Sequence, residues 1–237
     1  PPLPAAAPAP TEHTATAREA LASPQSVLSG LDVLVAEQFA LLAGRRVGLV
    51  TNQTGVDAQG RRGIDLLAAA PRVRLKAIFS PEHGLSGEAV GDIPHGRDAA
   101  TGLPLWSLYG ADRRPTAAML NGIDTLVVDL QDVGVRYYTY PTTLLYVLEE
   151  AARRRIQVVV LDRPNPITGA VVEGPVMDPD LRSFTGAHPI PVRTGLTIGE
   201  FARMVAAERK IPVALTVVPL VGWSRTLTLG PPAATAA

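Results

Sequence analysis

The sequence predicts an α/β fold in which a mostly parallel sheet is covered by helices on both faces. Five short apolar segments have the β-branched composition of buried strands, and they alternate with segments whose apolar residues recur at helical spacing. Strands and helices that alternate in this way form βαβ units, which make neighbouring strands parallel. The 237 residues, 46% of them hydrophobic and 19% charged, are enough to bury the core of such a domain.

The boundaries of the expected elements follow from turn and capping residues. The predicted strands are 46–51, 75–79, 125–130, 156–161 and 213–219. The predicted helices are 31–42, 64–70, 116–120, 142–155 and 197–209. The last helix opens with Thr197 and, three residues later, Glu200, which is the pattern of a capping box.

Composition divides the chain into three regions. Residues 1–29 are rich in Pro, Ala, Thr and Ser and predict a flexible linker. Residues 30–225 contain all the expected strands and helices and form the predicted domain. Residues 226–237 return to small residues and Pro, so we expect an irregular tail. Linkers such as residues 1–29 are typical of exported proteins, which favours a periplasmic or extracellular location and allows a lipid anchor on a preceding leader.

Several classes of protein are disfavoured by composition. With no cysteine, the chain cannot form disulfides, thiolate metal sites or a cysteine nucleophile. The 22 basic side chains balance 22 acidic ones without a basic stripe, so we expect no nucleic-acid partner. No apolar segment reaches the roughly 20 residues of a membrane-spanning helix. The oligomeric state is not predicted.

Polar clusters follow four successive predicted strands at their carboxyl ends, where open α/β sheets bind ligands. These clusters are 51–55, 80–84, 131–140 and 162–166. The connections at the other ends of the strands contain no comparable polar clusters. The clusters therefore predict a binding site at one edge of the sheet, with turn capping as the alternative for each cluster taken alone.

Three familiar kinds of site do not fit these clusters. Residues 51–60 lack the glycine patterns of nucleotide-binding loops, and no nucleophile elbow is present. His83 and His95 are 12 residues apart without helical pairing, so we expect neither a metal site nor another cofactor. What remains is a set of carboxylates, amides and aromatic rings, which suits a sugar ligand and the hydrolysis of its glycosidic bond.

Four segments resemble the signatures of the NamZ family of exo-acting β-N-acetylmuramidases. They are SPEHG (80–84), DLQDVGVRYYTY (129–140), DRPNP (162–166) and GLTIGE (195–200), and the resemblance covers about residues 30–225. It implies a Rossmann-like, three-layer catalytic domain and a smaller C-terminal domain that is largely missing from this sequence. It also implies a glycoside hydrolase of cell-wall turnover and recycling, which releases N-acetylmuramic acid from the non-reducing ends of peptidoglycan fragments.

The resemblance suggests roles for three residues. Glu82 is expected to be the general acid, Asp132 the second carboxylate, acting as base or nucleophile, and His83 a residue that orients Glu82. Each has a plainer alternative: a helix-cap partner for Glu82, an Asx-turn to Gly134 for Asp132, and an ordinary loop histidine for His83. The other polar residues of these motifs are expected to bind muramyl sugars, and they are Asn52, Gln53, Gln131, Arg136, Tyr137, Tyr140, Arg163, Asn165 and Arg193.

Selection of muramic acid calls for a fixed cation, because its lactyl ether carries a carboxylate. Arg136, Arg163 and Arg193 are the candidates, and Arg136 comes first because it lies in the densest polar cluster. An ion pair with Asp132 or Asp162 is its alternative role. The chain has Thr194 where relatives usually carry His, which leaves open a second function: a cell-wall glycan-binding module or inactive homologue without hydrolysis.

Overall fold

A computed structural model describes residues 27–228, which form a seven-stranded sheet with helices on both faces. The strands are β1 (Arg46–Thr51), β2 (Arg74–Ser80), β3 (Gly96–Arg97), β4 (Pro104–Ser107), β5 (Thr125–Asp129), β6 (Gln157–Leu161) and β7 (Leu215–Val218). Their order is β3-β4-β2-β1-β5-β6-β7, and only the β3–β4 pair is antiparallel. The predicted mostly parallel α/β fold is confirmed.

Within residues 27–228, four α-helices form the two outer layers. They are α1 (Gly30–Ala36), α2 (Gly63–Ala69), α3 (Thr139–Arg154) and α4 (Ile198–Glu208), with short 3₁₀ turns at Ala40–Leu42 and Pro179–Leu181. Apolar residues of α3 and α4 pack in one buried cluster against one face of the sheet. Those of α1 and α2 pack in a second cluster on the other face. No helix within residues 27–228 is long and apolar enough to cross a membrane.

All five predicted strands are present within two residues of their expected ends, because buried parallel strands leave a continuous apolar run in the sequence. Two predicted helices differ from those in the structure. Helix 31–42 stops at Ala36, because Gln38 and Phe39 take positive φ angles of 52° and 57°, and residues 116–120 form turns. Helix α3 begins at Thr139, earlier than expected, and holds Pro141 in its first turn, where an N–H is not needed.

Strands β3 and β4 were not predicted. They have two and four residues, and β4 begins with a proline, so neither gives a clear alternating or apolar pattern. Together they extend the sheet beyond β2 and add one more carboxyl end to its edge. The predicted boundaries at residues 29 and 225 stay predictions, and residues 1–26 and 229–237 of the expected linker and tail lie outside the described part of the chain.

The centre of the sheet has room only for glycine at position 48. A Cβ added to Gly48 would lie 2.8 Å from side-chain carbons of Leu126 and Phe79 and 2.9 Å from one of Ile123. We therefore expect Gly48→Ala to lower the free energy of unfolding by about 1–3 kcal/mol through overpacking, as measured by urea denaturation. Gly96→Ala is the matched control, because no atom lies within 4 Å of its added Cβ. Equal effects of the two substitutions would contradict this view of β1.

Candidate active site

Hydrogen bonds join the polar loops at the carboxyl edge of the sheet. The Asn52 amide, after β1, donates to the Tyr140 hydroxyl over 2.6 Å and accepts a 2.6 Å bond from the Thr54 hydroxyl. The Thr54 oxygen in turn accepts from the backbone N–H of Gln131, after β5, at 3.2 Å. Three residues expected at the site, Asn52, Gln131 and Tyr140, are thus brought together with the start of α3.

Glu82 lies half-buried in the loop after β2 and is held by hydroxyl groups. One carboxylate oxygen accepts a 2.7 Å bond from the hydroxyl of Thr139, the buried first residue of α3. Glu82 also raises the pKa of the Tyr109 hydroxyl through a hydrogen bond and through its negative charge. The carboxylate is therefore approached by hydroxyl groups from two different elements, and its contact with α3 is to a side chain rather than to a backbone N–H.

Sequence reasoning missed Thr139 and Tyr109. Thr139 lies within the segment 129–140 that had already suggested a sugar site, so its position was a usable signal. Tyr109 follows β4, a strand too short to be predicted, and the sequence therefore gave no reason to place this tyrosine at the carboxyl edge.

Asp132 is a buried carboxyl group with few partners. One of its oxygens accepts the backbone N–H of Gly134 at 3.1 Å, which forms the Asx-turn anticipated as its alternative role. The other oxygen has no hydrogen-bond partner among the described residues. Burial raises the pKa of Asp132 to about 6, against the opposing effect of the Gly134 and Val133 backbone N–H groups. A carboxyl group of this kind exchanges its proton near neutral pH.

His83 and Gln53 shape the loop after β2. His83 has a left-handed φ of 68°, and its ring bonds the carbonyl oxygen of Ala89 at 3.1 Å, whereas no bond joins it to Glu82 among the described residues. The Gln53 side chain lies so close to Gly87 that a Cβ there would collide with the amide. His83 therefore closes its own loop, and Gln53 links that loop to the one after β1.

Arg163 is committed to a buried ion pair. Its guanidinium bonds the carboxylate of Asp129 at 2.6 Å, and the two side chains are only 8% and 1% exposed. A further bond of 3.1 Å reaches the carbonyl oxygen of Val56. Contact between Arg163 and a substrate would require this pair to open, so the visible role of Arg163 is to join the ends of β5 and β6.

Arg136 and Arg193 brace the long segment that follows β6. Arg136 donates to the carbonyl oxygens of Ile190 and Pro175 at 2.6 and 2.8 Å, and not to the carboxylates of Asp132 or Asp162. Arg193 pairs with Glu173 at 2.6 Å. These contacts stabilise the loops, and recognition of substrate by either arginine stays a prediction.

Asn165 and Tyr137 occupy contrasting positions at this edge. Asn165 is buried, and its amide donates to the carbonyl oxygen of Leu196 over 2.9 Å, so it ties the loop after β6 to the start of α4. Tyr137 is 60% exposed and leaves its ring free to stack on a ligand. Within residues 27–228, no group of three or more histidines and carboxylates is arranged to hold a metal ion.

Comparison with known proteins identifies the family of this chain. A model of the N-terminal part of the exo-β-N-acetylmuramidase NamZ matches residues 47–232. The chain belongs to the NamZ N-terminal family. It is 42% identical over 203 residues to the peptidoglycan β-N-acetylmuramidase NamZ of Bacillus subtilis, an alignment that covers 85% of this chain and 49% of the relative.

Two crystal structures of DUF1343 family proteins from Bacteroides fragilis have the same fold. The first has a TM-score of 0.81 and 44% identity, covering 85% of this chain and 52% of the other. The second has a TM-score of 0.74 and 34% identity, covering 86% and 54%. The chain thus spans about half the length of the relatives that it matches.

The Asp129–Arg163 pair is expected to matter more for stability than an exposed pair. Arg163→Met leaves the Asp129 carboxylate buried without its cation, so the free energy of unfolding should fall by about 3–5 kcal/mol in urea denaturation. Arg46→Met is the control, because its 3.1 Å pair with Asp124 is 51% and 31% exposed, and we expect a loss of about 0–1 kcal/mol there. Similar small losses in both variants would contradict a structural role for the buried pair.

Asp132 should make the chain less stable as the pH rises. Because its folded pKa of about 6 lies above the usual 3.8, the folded chain keeps a proton that the unfolded chain releases between these values. Asp132→Asn removes this dependence. The free energy of unfolding of the variant minus that of the unsubstituted chain should be roughly 2–4 kcal/mol larger at pH 7.5 than at pH 4. The variant therefore gains stability over the unsubstituted chain as the pH rises.

The control for this experiment is Asp98→Asn. Burial acts to raise the pKa of Asp98, but hydrogen bonds from Thr101 and Arg62 outweigh it and lower that pKa. Asp98 therefore stabilises the fold above its usual pKa, and its replacement should destabilise the chain at pH 7.5. A relative stability of Asp132→Asn that does not change with pH would show that the pKa of Asp132 is the same in the folded and unfolded chain, and would contradict a raised pKa.

Proposed function

We propose that the chain forms the catalytic half of an exo-acting peptidoglycan glycosidase, which cleaves β-1,4 bonds to release N-acetylmuramic acid from non-reducing ends. The observation that supports this most directly is the position of Glu82, a half-buried carboxylate held at the carboxyl edge of the sheet by Thr139 in a member of the NamZ N-terminal family. The similarity to a relative named as a peptidoglycan β-N-acetylmuramidase points to the same substrate class.

Two carboxyl groups at the same edge of the sheet, in the loops after β2 and β5, would provide the chemistry of glycoside hydrolysis. In the proposed reaction Glu82 protonates the glycosidic oxygen as the bond to the sugar breaks. Asp132 acts on the other side of the sugar, either by taking a proton from the water that attacks the anomeric carbon, or by attacking that carbon itself to form a glycosyl ester, which water deprotonated by Glu82 then hydrolyses. The Asp132 pKa of about 6 suits a group that gains and loses a proton during turnover.

The other residues of the edge position the sugar. Tyr137, with its exposed ring, offers an apolar face to the C–H groups of the pyranose. Gln53 is exposed beside Gly87 and offers an amide to sugar hydroxyls. Because peptidoglycan lies outside the cytoplasm, the proposal includes export to the periplasm or the cell surface, which fractionation of the native organism tests directly.

A second candidate function is glycan binding without hydrolysis. It is favoured by Thr194, at a position where the family resemblance leads us to expect a histidine. The Thr194 hydroxyl donates to the carbonyl oxygen of Gly134 at 3.4 Å and accepts the N–H of Leu196 at 3.2 Å, so it serves the backbone. Retention of the chain on peptidoglycan without release of muramic acid would favour this second function.

Substitution of Glu82 tests the proposed acid through the leaving group. Glu82→Gln removes the transferable proton, so release of N-acetylmuramic acid from its disaccharide with N-acetylglucosamine should fall by ~10²–10⁴-fold. The 4-nitrophenolate group of a 4-nitrophenyl muramide leaves without protonation, so cleavage of this substrate should slow much less. Both rates are measured by chromatographic detection of free N-acetylmuramic acid.

Two further variants make this result specific. Glu88→Gln changes an exposed carboxylate of the same loop and should retain the rates of the unsubstituted chain. Asp132→Asn should slow both substrates, because the base or nucleophile is needed whatever the leaving group. A Glu82→Gln variant with unchanged turnover of the disaccharide would remove Glu82 from the role of acid. If instead Asp132→Asn shows the leaving-group effect, the two roles are exchanged.

A further inference from the structure

Arg113 is a cation in the region of Glu82 that residues 27–228 leave without an ion pair. It lies in the loop after β4, four residues beyond Tyr109, and its side chain is exposed. Its guanidinium forms no hydrogen bond or ion pair with any residue between 27 and 228. The three arginines expected from the sequence differ in this respect, because Arg136, Arg163 and Arg193 are bound by carbonyl or carboxylate oxygens.

Aromatic rings connect Arg113 to the Glu82 carboxylate. The guanidinium carbon lies 4.7 Å from the centre of the Phe184 ring, and that ring lies 5.9 Å from the Tyr109 ring. Glu82 raises the pKa of Tyr109 by hydrogen bonding and charge, and the positive charge of Arg113 opposes this effect. The cation and the proposed acid therefore act on the same phenol with opposite effects.

A cavity of about 620 Å³ is lined by residues from Gly110 to Ala117 and, on α3, by Tyr146, Glu150 and Arg154. Neither Glu82 nor Tyr109 lines it, so only the ring contacts relate Arg113 to Glu82. The other charged side chains of the cavity have partners within the described chain. Asp112 lies 3.3 Å from His95, Arg114 lies 2.6 Å from Glu149, and Arg154 lies 3.9 Å from Glu150. Arg113 is thus the lining charge that remains available among residues 27–228, so the cavity favours an anionic ligand.

We propose that Arg113 is a specificity-determining residue that binds a carboxylate of the substrate beside Glu82. The inference rests on the proposed function. In free muramyl sugars this carboxylate belongs to the lactyl ether, and in fragments that retain the stem peptide it belongs to the peptide. The Phe184 ring packs against the guanidinium group, and the N–H groups of Arg113 are open to a bidentate, charge-assisted contact. A terminal N-acetylglucosamine offers no such group.

Calorimetric binding of free sugars tests this contact without requiring turnover. The ligands are N-acetylmuramic acid, its methyl ester, N-acetylglucosamine and N-acetylmuramoyl-L-alanine. The unsubstituted chain should bind N-acetylmuramic acid more tightly than the ester or N-acetylglucosamine. Arg113→Gln should weaken binding of the acid on the order of tenfold and leave the two neutral sugars unchanged. Arg154→Gln, in the same cavity, is the matched control and should preserve every affinity.

The remaining arms assign the source of the carboxylate and separate this inference from the proposed function. An Arg113 effect on N-acetylmuramoyl-L-alanine alone would support the contact with a peptide carboxylate. An equal loss for acidic and neutral sugars, or an unchanged preference for the acid, would overturn the inference, and loss of that preference in Arg136→Met would assign it to Arg136. Hydrolysis of muramides without an Arg113-dependent preference would overturn the inference alone. Arg113-dependent binding without hydrolysis would overturn the proposed reaction alone.

Discussion

The buried ion pair between Asp129 and Arg163 holds together the edge of the sheet on which the candidate site is built. Asp129 is the last residue of β5, and Arg163 begins the loop after β6. The guanidinium also bonds the carbonyl oxygen of Val56, in the loop after β1. Removing two charges from water costs several kcal/mol each, and only close contact with additional hydrogen bonds offsets this cost. These contacts therefore hold the loops after β1, β5 and β6 in fixed positions relative to one another.

A rigid edge allows one carboxyl group to remain poorly satisfied. Asp162 has a structural role, because it accepts hydrogen bonds from the Thr197 hydroxyl and the Gly199 N–H at the start of α4. Asp132 accepts the backbone N–H of Gly134, has no ion-pair partner among residues 27–228, and has a pKa that burial raises to about 6. Such a group lowers stability at neutral pH, and active sites are the places where folds retain it.

The sequence predicted the sheet better than it predicted the roles of individual arginines. Five strands were evident because each is an apolar run buried on both faces, and the polar clusters at their ends marked the edge that the structure assembles. Strand β4 was too short to leave a pattern, so Tyr109 and Arg113 had no predicted place. Helix α1 ended at Ala36, because Gln38 and Phe39 take left-handed backbone angles that these residue types do not signal.

Pairing of charges depends on contacts between distant parts of the chain. Arg163 finds its partner 34 residues away, and Arg136 finds a carbonyl oxygen 54 residues away. Nothing in the local sequence separates these arginines from Arg113, which has no such partner among the described residues. The structure distinguishes arginines that brace loops from one that remains available to a ligand, and our proposal therefore places carboxylate recognition in the loop after β4 rather than in the loop after β5.

The claim that the carboxyl edge of this sheet is where a muramyl glycan is cleaved is tested most directly by a crystal structure. Crystals of the Glu82→Gln variant would be grown with the disaccharide of N-acetylmuramic acid and N-acetylglucosamine. We expect the sugar at the ends of β2, β4 and β5, with the glycosidic oxygen roughly 2.6–3.2 Å from the side chain at position 82. Disaccharide bound instead near the amino ends of β6 and β7, in the cavity lined by Arg153, Arg182, Arg209 and Lys210, would contradict it.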